Sequence, residues 1–110
     1  MPLVKAIIRP NKVEHVKEAL EKIGAGGVTV TEVRGHGHEP GHHTIYRGVE
    51  YNTSMIPKAM VEVVVPAALA DDVVRAIIGA AKTGAVGDGH VYVLPLAENY
   101  RIRTGDLTLD

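Results

Sequence analysis

The order of the apolar periodicities constrains the fold of this chain more than any other feature of its sequence. Apolar residues recur at spacings of three and four over residues 13–23 and 69–80, which predicts two amphipathic helices. Short apolar segments rich in β-branched residues lie before and after each helix and predict strands. The predicted strands cover residues 3–9, 27–34, 58–65 and 91–96, with a short fifth strand at residues 101–103.

The main elements follow the order strand, helix, strand, strand, helix, strand. Two βαβ units with right-handed crossovers predict a ferredoxin-like α+β sandwich, in which both helices cover the same face of an antiparallel sheet. Asn11, three residues before Glu14, predicts a capping box at the start of the first helix, and Gly24 is expected to end that helix. The length of 110 residues predicts a single domain over residues 1–110.

The third predicted strand carries apolar residues on both of its faces. Val61, Val63 and Val65 alternate with Glu62 and Val64. Helices on one side of the sheet can cover only one of these faces, so the other face is expected to stay partly apolar and uncovered. Such a face predicts association between copies of the chain.

Composition excludes several classes of protein. The chain has no Cys, which excludes a disulfide scaffold, a zinc–thiolate site and thiol catalysis. It also has no Phe or Trp, so the core must be aliphatic. A net charge of -1 argues against nucleic-acid binding. No apolar run approaches the roughly 20 residues of a membrane span and no leader opens the chain, so we expect a soluble cytoplasmic protein.

Residues 35–57 form a 23-residue gap without clear periodicity between the second and third predicted strands. A loop of this length is unusual in a small domain and is often functional. The gap contains His36, His38, His42 and His43. Neutral imidazole is a common ligand of zinc, nickel and copper, and Glu39 could add a carboxylate, so a metal site is one hypothesis. The alternative is a polar loop whose histidines titrate freely near pH 6.5.

Two further segments have the chemistry of phosphate sites. Residues 83–89 are rich in glycine, whose backbone N–H groups can surround phosphate oxygens. The segment lacks the Gly-Lys-Ser/Thr of a Walker A loop, and a plain helix-to-strand turn is the alternative. In an extended segment, Arg101 and Arg103 would lie on the same side and suit a polyanionic phosphate group. The alternative for this pair is a solvated edge strand blunted by charge.

Tyr46 and Tyr51 stand in the polar gap and predict modification or partner docking, with ordinary loop packing as the alternative. The sequence contains no recognisable combination of nucleophile, base and acid. We therefore expect that the protein is not an enzyme.

Motifs spread along the chain resemble those of the PII signal-transduction proteins, which are nitrogen regulators of bacteria, archaea and plastids. The matching segments are residues 5–10, 16–20, 29–35, 46–51, 83–89 and 101–105. They occur in the family's order over nearly the whole chain, which makes the resemblance far more specific than any one motif.

The resemblance implies a homotrimer of ferredoxin-like subunits that binds ATP, ADP or AMP in three clefts between subunits. It also implies that residues 35–57 are the T-loop, an arm that docks on a target protein such as a membrane transporter or a metabolic enzyme. Carried over by position, one subunit would contribute Ile7, Gly35, Gly37, Thr83, Gly87, Asp88 and Gly89. A neighbouring subunit would contribute Thr29, Glu62, Val64, Arg101 and Arg103.

The chain departs from the family pattern at three ligand positions. His38 and His90 stand where an Arg and a Lys of the family face the nucleotide phosphates. Glu39 replaces a Gln whose amide helps hold magnesium and 2-oxoglutarate. The implied 2-oxoglutarate site comprises Glu39, Gly41 and Lys58. Tyr51 is retained where many bacterial members are uridylylated.

These features predict a trimeric adenine-nucleotide sensor that regulates a partner through its T-loop and responds weakly to 2-oxoglutarate. The alternative is a metal-responsive PII-like protein that binds nickel, zinc or copper through the His-rich loop.

Overall fold

The computed structural model describes residues 1–36, 43–46, 49–52 and 55–108. Along these residues lie six strands and two α-helices. In chain order they are β1 Pro2–Ile8, α1 Val13–Lys22, β2 Thr29–His36, β3 His43–Tyr46, β4 Val49–Asn52, β5 Met55–Val64, α2 Ala70–Ala81 and β6 His90–Pro95. Short 3-10 turns, Pro10–Lys12 and Ala67–Leu69, lead into the two helices.

Four of these strands form the main sheet, in the order β2-β5-β1-β6, and every neighbouring pair is antiparallel. The predicted order of strands and helices and the ferredoxin-like α+β fold are confirmed for this sheet. Because the first strand pairs with the last, Ile7 near the end of β1 lies opposite His90 at the start of β6. This pairing brings the end of β1 next to the segment that follows α2.

The core between the helices and the sheet is aliphatic, as the composition predicted. Alternate residues of β1 and β5 face the helices and pair across the two strands, for example Val4 with Val63 and Ala6 with Val61. Fully burying one such side chain contributes about 1.5–3 kcal/mol to stability. The fully buried side chains of this core are Val4, Ile8, Val16, Leu20, Val61, Val65, Val73 and Ile77.

The sheet face opposite the helices stays partly apolar and exposed, which confirms the expectation drawn from the third predicted strand. Leu3 pairs with Val64 on one side and with Leu94 on the other. Val64 is 36% exposed and Leu94 is 39% exposed. Beside them, Lys5 and Glu62 form an ion pair at 3.8 Å. We call this surface, on β1, β2, β5 and β6, the open face.

The aperiodic gap is shorter than predicted, because strands enter it from both ends. β2 continues to His36 and β5 begins at Met55, and these two residues pair with each other. The backbone ladder forms there without apolar alternation, since the partner strand supplies the hydrogen bonds. Within the gap, β3 and β4 also pair as an antiparallel hairpin. The prediction of a loop over all of residues 35–57 was therefore wrong at its ends.

The predicted strand at residues 101–103 is a turn instead. The N–H of Gly105 donates to the carbonyl of Arg101 at 2.7 Å, and the N–H of Arg101 donates to the backbone carbonyl of Asp106 at 2.9 Å. A bridge between Tyr100 and Leu107 closes the same segment. These local bonds, with a positive φ of 73° at Gly105, outweigh the alternating pattern of the sequence. The alignment of two arginines along a strand is therefore wrong.

The start of α1 also differs from its prediction. Asn11 lies inside the 3-10 turn Pro10–Lys12, and the N-cap residue of α1 is Lys12, with no side-chain cap. Proline favours the first position of such a turn, which moves Asn11 past the capping position. Gly24, with a φ of 79°, ends the helix as expected. Neither α1 nor α2 is long and apolar enough to cross a membrane, and the described residues contain no other α-helix.

Candidate functional site

The loop of residues 83–89 joins α2 to β6 and is organised around the carboxylate of Asp88. Its Oδ2 accepts hydrogen bonds from the backbone N–H groups of Thr83 and Gly84, both at 2.8 Å. Its Oδ1 accepts from the Thr83 hydroxyl at 2.5 Å and from Nε of Arg9 at 3.2 Å. These bonds, above all those from Thr83, hold the pKa of Asp88 well below its ordinary value. An ionised Asp88 therefore braces the loop from within.

Two glycines let the end of this loop pack tightly on β1. Gly87 and Gly89 have φ angles of 103° and 97°, which glycine adopts far more readily than other residues. A Cβ atom added at Gly89 would lie 1.7 Å from the carbonyl oxygen of Ile7. Backbone with positive φ also forms the concave turns whose N–H groups bind anions.

Two cations hold carbonyl groups of the loop, Arg9 directly after β1 and Lys58 in β5. Arg9 donates from Nη2 to the carbonyl oxygen of Val86 at 2.9 Å. Lys58 donates from Nζ to the carbonyl oxygen of Gly87 at 2.7 Å. Lys58 is 8% exposed, so solvent screens the charge of its ammonium group less than it would at the surface. The loop is therefore tied to the sheet by charged hydrogen bonds as well as by backbone packing.

A cleft of about 640 Å³ lies between the loop and the open face, and Lys58 is part of its lining. Seven residues of the predicted nucleotide and 2-oxoglutarate sites come together there: Ile7, Gly35, Lys58, Gly87, Asp88, Gly89 and His90. Thr83 supports the cleft indirectly through Asp88. His36, predicted as a metal ligand, also lines it. Tyr92 lies on the same wall and stacks with His90, with ring centroids 6.1 Å apart.

Five other predicted residues lie away from the cleft. Thr29 pairs with Glu62, and Val64 pairs with Leu3, elsewhere on the open face. Arg101 and Arg103 are exposed in the C-terminal turn. The resemblance assigned all of these side chains to a neighbouring subunit, and their contribution to a site stays a prediction.

Several predicted site residues fall on the part of the chain that the structure does not describe. Gly37, His38, Glu39, Gly41 and His42 lie outside the described residues. Only the backbone is described for His43 in β3 and for Tyr51 in β4. Among the described residues, no group of three or more His, Asp or Glu side chains is placed to hold a metal ion. The four-histidine metal site stays a prediction.

Tyr92 lines the cleft without having been predicted, and Arg9 is a charged residue beside the cleft that the sequence also did not indicate. Arg9 is the more informative of the two. Its partners Val86 and Asp88 are 77 and 79 positions away along the chain. The pairing of β1 with β6 brings them together, and no local pattern around Arg9 indicates it. Only the sheet topology could have indicated this contact, because the predicted ferredoxin-like sheet places the end of its first strand beside the start of its last strand.

Comparison with known proteins gives one consistent result. Residues 1–106 match the family model described as Nitrogen regulatory protein P-II. The chain is 49% identical over 106 residues to the Nitrogen regulatory protein P-II of Rhizobium etli, covering 96% of this chain and 95% of the relative. It is 47% identical over 110 residues to the protein of that name from Rhizobium meliloti, covering 100% of this chain and 98% of the relative.

A third relative extends the match to another group of bacteria. The Nitrogen regulatory protein P-II 1 of Escherichia coli strain K12 is 46% identical over 106 residues, covering 96% of this chain and 95% of the relative. The similarity therefore includes both the glycine loop and the C-terminal turn, and not the sheet alone.

Proposed function

Because the chain belongs to the nitrogen regulatory protein P-II family of signal-transduction regulators, we propose that it senses adenine nucleotides and regulates a partner protein. The observation that carries this proposal is the cleft in which Gly87, Asp88 and Gly89 face Ile7 and Lys58. The expected ligands are ADP, ATP or AMP, with their phosphates against the loop.

Phosphate binding is supported by the donors that surround the cleft. A glycine-rich turn offers backbone N–H groups, and Lys58 offers a largely buried ammonium group. The side chains of Arg101 and Arg103 from a neighbouring subunit would add two guanidinium groups. The adenine would then lie against the neighbour's Thr29, Glu62 and Val64, as the family resemblance implies.

A homotrimer would complete this site and cover the open face. Val64, Leu94 and Tyr92 are between 36% and 48% exposed on that face. Exposed apolar side chains grouped on one sheet face are typical of surfaces that bind another protein. Light scattering is expected to give the mass of a trimer, and a monomer at micromolar concentration would remove the shared clefts from the proposal.

The response to 2-oxoglutarate is expected to be weak. Glu39 would bring a carboxylate towards a dicarboxylate ligand, and Lys58 already donates to the carbonyl of Gly87 at 2.7 Å. The ligand must overcome the repulsion and compete for that ammonium group. Calorimetry with ATP and magnesium tests this, because Glu39→Gln should strengthen 2-oxoglutarate binding about tenfold or more. Glu18→Gln, on exposed α1, is the control that should leave it unchanged.

The proposed partner is a target protein bound by the T-loop, such as a membrane transporter or a metabolic enzyme. We place the regulator in the cytoplasm, peripheral to the membrane when its target is a transporter. Tyr51, in β4, is the proposed site of covalent modification. Incubation with a bacterial uridylyltransferase and intact-mass measurement tests this, with Tyr51→Phe as the control.

The second candidate function is a metal-responsive protein, and its specific observation is that His36 is one of the residues lining the cleft. His38, His42 and His43 follow it within seven positions. Titration with nickel, zinc and copper, with and without ADP, separates the two candidates. In the wild-type protein, metal binding should weaken below roughly pH 6, since only neutral imidazole coordinates a metal ion. Replacing all four histidines with Ala should abolish metal binding. Unchanged metal affinity after replacement would rule out the site.

Calorimetric titration of ADP into the full chain tests the nucleotide proposal directly. Gly87→Ala places a side chain at a φ of 103° and should weaken ADP binding about tenfold or more, because the loop must change shape. Gly79→Ala is a matched control, since an added Cβ in exposed α2 meets nothing within 4 Å. Wild-type protein that binds neither ADP nor ATP would refute nucleotide sensing.

A further inference from the structure

Arg9 is a charged residue that neither the sequence motifs nor the family positions assigned to the cleft. It follows β1 directly, and its side chain is 27% exposed. The guanidinium makes two bonds to different parts of the loop, Nε to Asp88 at 3.2 Å and Nη2 to the carbonyl of Val86 at 2.9 Å. The side chain of Arg9 thus joins the end of β1 both to the carboxylate of Asp88 and to the backbone of residues 83–89.

The first bond sets the local charge. Both carboxylate oxygens of Asp88 accept hydrogen bonds inside the loop, and its lowered pKa keeps it ionised. A carboxylate beside a phosphate site repels the ligand, and the repulsion grows with the number of phosphates. The guanidinium of Arg9 lies 3.2 Å from this carboxylate and offsets its charge beside the cleft.

The second bond sets the direction of a donor. In a trans peptide unit the C=O and the following N–H point in opposite directions. When Arg9 draws the carbonyl of Val86 towards itself, the N–H of Gly87 faces away from the guanidinium. Lys58 acts in the same way on the next unit, since it holds the carbonyl of Gly87 and turns the N–H of Asp88 away.

We propose that Arg9 is a positioning residue that holds residues 83–89 in their phosphate-binding shape and neutralises Asp88, without touching the nucleotide itself. The inference rests on the proposed nucleotide function. It differs from a purely structural role for Arg9, because loss of the guanidinium should penalise ligands in the order of their charge, with ATP affected most and AMP least.

Calorimetry of AMP, ADP and ATP binding to the trimer tests this order. Arg9→Gln should weaken ADP binding about tenfold, ATP binding more and AMP binding less. Arg9→Lys keeps the charge and one donor, so it should restore the wild-type ratio of ATP to AMP affinity and part of the absolute affinity. The matched control is Arg75→Gln, which removes an exposed Arg that pairs with Asp72 on α2, and which should change none of the three affinities.

A double variant isolates the electrostatic part. Adding Asp88→Asn to Arg9→Gln removes both charges, so the ratio of ATP to AMP affinity should return towards the wild-type value even if all affinities are low. Amide hydrogen exchange of the free protein gives a second measurement, and Arg9→Gln should speed exchange within residues 83–89 more than in β5.

The outcomes separate this inference from the function beneath it. If the wild-type protein binds no adenine nucleotide, the proposed function fails and the role of Arg9 fails with it. Suppose that the wild-type protein binds nucleotides and that Arg9→Gln leaves all three affinities unchanged or lowers all three by the same factor. The proposed function then stands and the positioning role of Arg9 is refuted. If Arg9→Gln does not fold, Arg9→Lys decides, and a distorted ATP to AMP ratio in that variant overturns the charge argument.

Discussion

The two segments predicted to hold phosphate, residues 83–89 and residues 101–103, are stabilised in different ways. Residues 101–103 lie in the C-terminal turn, which is closed by the bridge between Tyr100 and Leu107. The first is tied to distant strands by charged side chains. Arg9 reaches it across 77 positions of sequence and Lys58 across 29. Its conformation is therefore fixed by the tertiary fold of a single chain.

The C-terminal turn closes on itself. Backbone bonds between Arg101, Gly105 and Asp106 hold it together, and Ile102 at its apex is fully exposed. The described residues show no salt bridge from this turn to the sheet or helices. Its conformation is set locally, so its position relative to the rest of the chain is less constrained.

The difference suggests separate roles for the two segments in the proposed nucleotide site. A loop braced by long-range contacts is ordered before the ligand arrives, which lowers the entropy lost on binding. A turn held mainly by its own local hydrogen bonds could adjust when a neighbouring subunit and a ligand meet it. Rigid donors would come from one subunit and adaptable guanidinium groups from the next.

The largest expected effect is on stability, and it is tested by replacing one glycine with Ala in each segment. Gly89→Ala should destabilise the protein by about 3 kcal/mol or more, because the added Cβ would lie 1.7 Å from the carbonyl oxygen of Ile7. Gly105→Ala should cost only about 1–2 kcal/mol for its positive φ, since nothing lies within 4 Å of its added Cβ. Urea unfolding of both variants measures the difference, and equal losses would contradict the comparison.

The second prediction separates binding from stability in the C-terminal turn. Replacing both Arg101 and Arg103 with Gln should weaken ADP binding about 100-fold or more, because each charged hydrogen bond is worth about 1.5–3 kcal/mol. The free energy of unfolding of the protein without ligand should change by less than about 0.5 kcal/mol, as is usual for exposed side chains. Calorimetry and urea unfolding provide the two readouts. Unchanged ADP affinity would remove this turn from the site.

The sequence predicted the braced region better than the self-closed one. The spacing of apolar residues in β1, α2 and β6 correctly predicted the order of these elements, because burying one face of a strand or helix makes apolar residues recur at the spacing typical of that element. The glycine content of residues 83–89 indicated a tight loop. Neither pattern indicated that Arg9 or Lys58 would reach it, since those contacts depend on which strands pair and not on local spacing.

The C-terminal turn shows the opposite limit. Arg101, Ile102 and Arg103 alternate as a strand does, yet no neighbouring strand pairs with them among the described residues. Short alternating segments carry little information when a turn offers the same backbone hydrogen bonds locally. The ends of β2 and β5 were missed for a related reason, because pairing with a partner strand extended them beyond the apolar pattern.

The third prediction concerns pH and uses the matched threonines of the two segments. Thr83 is the main cause of the lowered pKa of Asp88. A carboxylate whose pKa is lower in the folded state stabilises the fold above its unfolded pKa, near 3.9, and loses that contribution as the pH falls further. Thr83→Val should therefore destabilise the protein most at pH 7, with a difference from wild type that shrinks below about pH 4.

The control for this prediction lies in the C-terminal turn. Thr104 accepts a hydrogen bond from the N–H of Asp106 at 3.3 Å, and within the described part of the chain it makes no bond to a carboxylate. Thr104→Val should cause a small loss of stability that does not depend on pH. Urea unfolding at several pH values between 7 and 3 compares the two variants. A constant difference between wild type and Thr83→Val would show that Asp88 does not depend on Thr83 for its ionisation.

The smallest expected effect concerns the choice between ATP and ADP at the braced loop. His90 opens β6 and lines the cleft, where it stacks with Tyr92 at an interplanar angle of 29°. Imidazole side chains are largely neutral at pH 7.5, whereas lysine carries a full charge. A charge at this position should favour the ligand with the additional phosphate, so His90→Lys should raise the preference for ATP over ADP a few-fold.

Calorimetry at pH 7.5 with both nucleotides measures this preference, and His15→Lys, on the exposed side of α1, is the matched control. If His90→Lys strengthens ATP and ADP binding equally, its side chain acts on phosphates common to both ligands, and discrimination at the third phosphate belongs to other groups.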